Sequence, residues 1–256
     1  MPIIITDVQR QIVFAENTVS YASGSKGFLF VSRDRSATKP VVIHDNTFSH
    51  VSGFTYSGII NVRSNHTVGY RVAGSDFCGG VHIASNKFQN SVMCSVPDGH
   101  DKYKSAGLIK VSCLVDEDDL KTDEIYDDPD NFWSYNQVPD VSAITITVDI
   151  GTSDVTVDTK ITTIKDNTFT DNLRGAQGSL IFALQIPFIR ISGNTYTSNG
   201  DVVRQHFSSD NLSETYGGFN ASYSLAPAYG QSSKNTGAMI SIFGGLGFSV
   251  TDETIG

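Results

Sequence analysis

One octapeptide is written six times along this chain, and it constrains the fold more than any other feature. The copies are IVFAENTV (12–19), VVIHDNTF (41–48), VHIASNKF (81–88), TTIKDNTF (162–169), IRISGNTY (189–196) and FSVTDETI (248–255). They align on the Asn, which is Glu253 in the sixth copy. Three residues earlier stand Phe14, Ile43, Ile83, Ile164, Ile191 and Val250; two residues later stand Val19, Phe48, Phe88, Phe169, Tyr196 and Ile255. Both columns are wholly apolar. Five residues before the Asn the column is apolar except at Thr162, and two before it no copy has a large apolar residue. Apolar residues at alternate positions mark a strand buried on one side, because successive side chains point to opposite faces. A strand runs in, the Asn turns the corner, and a short strand runs out. Asn suits that corner because it tolerates φ > 0 better than other non-glycine residues and its amide bonds backbone groups. If such corners stack, Asn17, Asn46, Asn86, Asn167 and Asn194 form a ladder of amides, each bonded to those above and below.

A second element follows most copies: GFLFV (27–31), GIINV (58–62), GLIKV (107–111), SLIFAL (179–184), DVVRQHF (201–207) and GAMISIF (237–243). These runs are short, β-prone and mostly introduced by Gly, and they predict a third strand per unit. Reference positions lie as little as 27 and 29 residues apart, and elsewhere 40, 59 and 81. That is the pattern of one basic coil with loops inserted into some turns. Coils stacked at about 4.8 Å give parallel sheets around a filled interior.

The Gly-led strand, the loop and the ΦxΦxxNxΦ octapeptide together resemble the parallel β-helix repeats of pectin-lyase-like proteins, over residues 12–255. The resemblance implies an all-β, right-handed parallel β-helix of about six or seven coils. The rule for parallel crossovers gives the same hand. Two long insertions, about 112–160 and 208–236, interrupt a single domain. Six in-register copies weigh against a Greek-key sandwich. The family includes lyases, hydrolases, adhesins, phage tailspikes and structural proteins, so the likeness specifies architecture rather than activity.

The family's enzymes carry clustered Asp residues and a nearby Arg or Lys on the outer face of the Gly-led strands. Its glycosidases need carboxyl groups converging on the scissile bond. With Leu29/Val31, Ile60/Val62 and Ile109/Val111 inward, the outward residues are Phe28/Phe30, Ile59/Asn61 and Leu108/Lys110, with no carboxylate. The hydrolase signatures (an Asn-Thr-Asp strand, a paired Asp, a Gly-His-Gly, an Arg-Ile-Lys) are not found. Their nearest echoes, Asp98-Gly99-His100-Asp101 and Leu108-Ile109-Lys110, lack accompanying acids. Neither the Asp ladder nor the Arg base of a lyase can be placed, so no catalytic residue is assigned. Apolar outer positions instead call for a cover: the 112–160 insertion folded back, a neighbouring protomer, or a stacked glycan.

Charge sharpens this picture. The 256 residues carry 18 Lys+Arg against 27 Asp+Glu, a net charge of −9. Residues 116–130 hold nine acids and one Lys, leaving 17 basic against 18 acidic residues elsewhere. Nucleic acid is excluded as the main partner, since phosphate binding needs a basic surplus. No apolar stretch approaches the ~18 residues of a membrane span. Within the acidic insertion Asp127, Asp128, Asp130 and Asn131 are the densest oxygen set for Ca²⁺. The EF-hand spacing is missing there, a solvated acidic loop is the simpler reading, and no other cofactor is implied. Six scattered histidines (44, 50, 66, 82, 100, 206) are read as surface residues. Sequons at Asn65, Asn211 and Asn220 fall in predicted loops; about three are expected by chance in a chain this rich in Asn, Ser and Thr, and they are the positions to check for glycosylation if the chain is extracellular and eukaryotic. Cys78, Cys94 and Cys113 lack zinc-ligand spacing; buried thiols, or one bridge and a free thiol, both stay open.

Residues 1–7 have no signal-peptide character, no amphipathic helix precedes residue 12, and the sixth copy ends without its third strand. Solenoids need covered ends. The expectation is therefore a segment of a longer chain, or a subunit covered by neighbours and able to stack into a filament. The function expected is a non-catalytic structural or adhesive module of an extracellular or cell-surface assembly. Its partners are copies of itself, the rest of a longer chain, or glycans. A carbohydrate-active enzyme of the pectin-lyase-like type is one alternative. A glycan-binding adhesin using the Tyr-rich 208–236 insertion is another.

Overall fold

A computed structural model describes residues 3–8, 11–24, 28–33, 39–54, 58–66, 79–94, 107–115, 145–149, 154–158, 161–174, 179–184, 186–201, 239–243 and 247–256. Among these residues there is no helix. Strands wind through four parallel sheets in turn, each pairing with its equivalent one coil later. The first sheet contains Ile3–Val8, Leu29–Arg33, Ile60–His66, Gly107–Val115, Ser179–Leu184 and Ile240–Phe243. The second contains Ile12–Ala15, Val41–His44, Val81–Ala84, Thr162–Lys165, Phe188–Ser192 and Gly247–Thr251. The third contains Thr18–Ser20, Thr47–Ser49, Lys87–Gln89, Thr168–Thr170, Thr195–Thr197 and Thr254–Ile255. Ser23–Gly24, Ser52–Phe54, Val92–Cys94, Leu173–Arg174 and Gly200–Asp201 make the fourth. The result is a right-handed parallel β-helix of six coils.

The octapeptide sets the register. Phe14, Ile43, Ile83, Ile164, Ile191 and Val250 pair in one unbroken row. The apolar residue after the Asn makes a second row in the third sheet. There Phe48, Phe88, Phe169 and Tyr196 stack almost parallel, with ring centroids 5.2, 5.0 and 5.1 Å apart. Offset stacking at this separation is favourable beyond the area it buries. The spacing of the coils sets the spacing of the rings, so aromatic size is matched to strand pitch.

Four features differ from the sequence reading. Among the described residues each of the first five coils has four short strands, the fourth being two or three residues just beyond the octapeptide's exit. The left-handed residue at the corner precedes the Asn: Glu16, Asp45, Ser85, Asp166, Gly193 and Asp252 all have φ between 52° and 66°. This frees the Asn side chain to point inward. The DVVRQHF run supplies no strand to the first sheet, because Ser179–Leu184 pairs directly with Ile240–Phe243; only Asp201 of the run is described, in the fourth sheet. Finally, Ile3–Val8 opens the first sheet ahead of the first octapeptide, which a search keyed to the repeat could not see. Within the 112–160 insertion, the alternating ITITVDIGTSDVTV stretch forms an antiparallel pair, Thr145–Asp149 with Asp154–Asp158.

Candidate functional site

Each inward Asn bonds in three directions, and the set forms one column. Asn17 Nδ2 donates to Asn46 Oδ1 (3.0 Å), Asn46 Nδ2 to Asn86 Oδ1 (2.9 Å), Asn86 Nδ2 to Asn167 Oδ1 (3.1 Å) and Asn167 Nδ2 to Asn194 Oδ1 (2.9 Å). The same Oδ1 atoms accept the backbone N–H of the preceding Asn. Each Nδ2 from Asn46 onward also donates to a carbonyl of the previous coil: Phe14, Ile43, Ile83 and Ile164. Asn46, Asn86, Asn167 and Asn194 are buried, so these bonds satisfy groups that water cannot reach. The column runs one way, with donors facing the later coil's oxygen. It ends at Glu253, whose Oε1 accepts from Asn194 Nδ2 and whose Oε2 accepts from Tyr196 Oη at 2.6 Å. Burial, together with that bond to the carboxylate, raises the Tyr196 phenol above its ordinary value.

A second column stands at the next corner, where Tyr21, His50, Asn90, Asp171 and Ser198 have positive φ. The residues after them carry it: Val51 N–H donates to Ser91 Oγ, Ser91 N–H to Asn172 Oδ1, and Asn172 N–H to Asn199 Oδ1. Sequence reasoning missed it because the position alternates among Ala22, Val51, Ser91, Asn172 and Asn199. The signal was there in Asn172 and Asn199, each five residues after a ladder Asn.

The outer face of the first sheet is where a pectin-lyase-like enzyme would place its acids. One outward row holds Phe30, Asn61, Lys110, Phe182 and Ser241; the next holds Ser32, Arg63, Ser112, Leu184 and Phe243. No carboxylate stands among these ten positions. Asn61, Lys110 and Phe182 are buried within the single chain, and Lys110 Nζ lies 5.5 Å from the Phe182 ring centroid. Phe28, Ile59 and Leu108, expected outside, belong instead to the buried apolar cluster; Phe28 meets Phe48 edge-on, centroids 6.1 Å apart. Phe28 and Ile59 stand just before their strands and Leu108 is the second residue of its own. Arg33, also buried, donates to the carbonyls of Gly79 (2.6 Å) and Lys39 (2.9 Å); burial lowers its guanidinium to about 10.

The histidines of the second sheet are not surface residues. His44 and His82 are 3% and 5% exposed, beside buried Val42 and Ala84 on the outward face. His44 Nδ1 lies 2.6 Å from Asp45 Oδ2, which fixes Nδ1 as the donor, and Nε2 is buried without a partner. His82 is lowered to about 4 by burial first, then by Lys165 and His44, with Asp166 opposing. Among the described residues no group of three or more His, Cys, Asp or Glu is placed to hold a metal ion. Asp127, Asp128, Asp130, Asn131, Asn211 and Asn220 lie outside the described residues. Asn65 is in a strand rather than a loop, paired with Leu114, because Ile60–His66 and Gly107–Val115 run on together past their Gly-led cores. Cys113 is buried and disulfide-bonded; the chain's other cysteines are Cys78 and Cys94.

Comparison with protein-family models, curated proteins and solved structures found no match to this chain. No helix among the described residues is long and apolar enough to cross a membrane.

Proposed function

We propose that this chain is a non-catalytic structural module, with the fold of the pectin-lyase-like proteins but without their chemistry. One observation carries the reading. The ten outward positions of the first sheet, where the enzymes of that family place their acids, hold no carboxylate, and Asn61, Lys110 and Phe182 among them are buried by the chain itself. The amide columns and the aromatic stack make the described coils a stiff rod. A disulfide at Cys113 favours an oxidising, extracellular setting. Incubation with a panel of acidic and neutral polysaccharides tests the reading. No new reducing ends and no ultraviolet absorbance from unsaturated products are expected, and turnover of any of them would refute it.

A second reading, adhesion to glycans, is favoured by Tyr21. It is 70% exposed and stacked on His50, with centroids 4.8 Å apart and planes 16° apart. An exposed aromatic face with a polar tip is a surface on which a neutral sugar can stack. A glycan array probed with the chain and with Tyr21→Ala tests it; signals equal for both would remove Tyr21 from any such role.

A further inference from the structure

We propose that Cys113 is bridged to Cys78, so that a disulfide clasps the corner where the first sheet leads into the second, and that Cys94 is the free thiol.

The chain crosses this corner once per coil. The connections there are residues 9–11, 34–40, 67–80, 116–161, 185–187 and 244–246. The two longest, 67–80 and 116–161, fall on neighbouring coils. The entropy lost on closing a loop grows with its length, so these two coils are held together at the corner least by their own connections.

The described residues fix what stands there. Arg33, Ser64 and Cys113 pair in one row at the exit of the first sheet, and all three are buried. The entrance of the second sheet is stacked on the same coils: Val41 N–H donates to Gly80 O, and Gly80 N–H to Ile161 O. Arg33 ties the two stacks together through Gly79 O (2.6 Å) and Lys39 O (2.9 Å). Gly79 and Gly80 therefore lie beside the row in the coil of Ser64, and Cys113 stands one coil on, about 4.8 Å further along the axis. Cys78 is bonded to Gly79 in the chain, which holds its Cα about 3.8 Å from that of Gly79. A disulfide needs Cα atoms about 4.4–6.8 Å apart, and a cysteine tethered to this corner one coil from Cys113 meets that need.

Cys94 is tethered elsewhere. It ends Val92–Cys94 in the fourth sheet, where it pairs with Phe54. That sheet feeds the opposite end of the first: Phe54 leads through Gly58 into Ile60, which pairs with Ile109. From Gly107 to Cys113 the strand rises about 3.3 Å per residue, roughly 20 Å in all. Cys94 and Cys113 thus stand at opposite ends of the same strand, beyond the reach of a disulfide. Reducing the Cys78–Cys113 bond adds two electrons and two protons, returns two thiols and leaves the sheet pairing intact, so the corner loosens while the coils persist.

Peptide mapping of the full chain tests the pairing. Free thiols are alkylated in denaturant before any reduction, and the digest is read by mass spectrometry. The expected result is a cross-link between the peptides of Cys78 and Cys113, with the alkyl group on Cys94. A Cys94–Cys113 cross-link, or alkylated Cys78 or Cys113, would overturn the proposal. In Cys94→Ser the Cys78–Cys113 cross-link is expected to persist, and in Cys78→Ser Cys113 is expected to be alkylated; the reverse pattern would overturn the pairing. A dithiol reductant is expected to lower the melting temperature of wild type by on the order of 10 °C and to leave that of Cys78→Ser unchanged. An equal fall in both would overturn the role of the bond as a clasp.

Discussion

Asn86 shows how much one amide does in this fold. Its Nδ2 donates to Ile43 O, Ala84 O and Asn167 Oδ1, while its Oδ1 accepts from Asn46 N and Nδ2. All of this is at 0% exposure. Asn86→Ala leaves several buried groups unpaired, each worth about 1–3 kcal/mol. We expect a loss of about 3 kcal/mol or more by denaturant unfolding. Asn17→Ala, at the exposed head of the column, should lose about 1 kcal/mol or less. Equal effects at the two positions would argue against burial as the source of the ladder's strength. His82 makes a pH-dependent contribution. Its folded-state value is about 4 against an ordinary 6.5, so the unfolded chain binds more protons between those values. Stability from this group is complete above about pH 6.5 and lost as pH falls towards 4, by up to about 3 kcal/mol. His82→Gln should flatten that part of the stability–pH curve relative to wild type. Parallel curves would show that His82 is not the group responsible.

At the scale of strands and turns, close approach between coils explains what the sequence could and could not convey. A Cβ on Gly107 would lie 2.9 Å from Phe182 Cβ and 2.6 Å from Ile109 O, both parts of the packed sheet. Gly107→Ala should therefore lower the melting temperature, with a loss of about 1–3 kcal/mol from overpacking. Phe88→Ala, which opens the middle of the aromatic stack, should lose about 3–5 kcal/mol. An unchanged melt in either would contradict the packing described. The rows built on Ile43 and Phe48 were legible because the octapeptide repeats both side-chain type and spacing. The second corner was hidden because Val51, Ser91 and Asn172 fill one structural position with different chemistry. The corner's geometry was misread by one residue for a related reason. Asp45 and Asp166 take the strained φ there and face solvent, so their identity varies, while the inward Asn alone is held by its bonds. His44 and His82 looked like surface residues because strand alternation says which face a side chain is on, not whether that face is covered.

Over the whole molecule, the six coils act as one unit because each coil's polar needs are met by its neighbours. Corner amides, strand ladders and stacked rings all bond along the rod axis, which makes the rod stiff lengthwise. The chain's formal charge of −9 concentrates in the 116–130 segment, so the coils are held together with little self-repulsion. The most direct measurement is amide hydrogen exchange on the purified chain. The slowest exchange is expected at the backbone amides of Asn46, Asn86 and Asn167, each of which donates to the ladder oxygen of the next coil. Exchange at these amides as fast as at exposed turns would contradict the account.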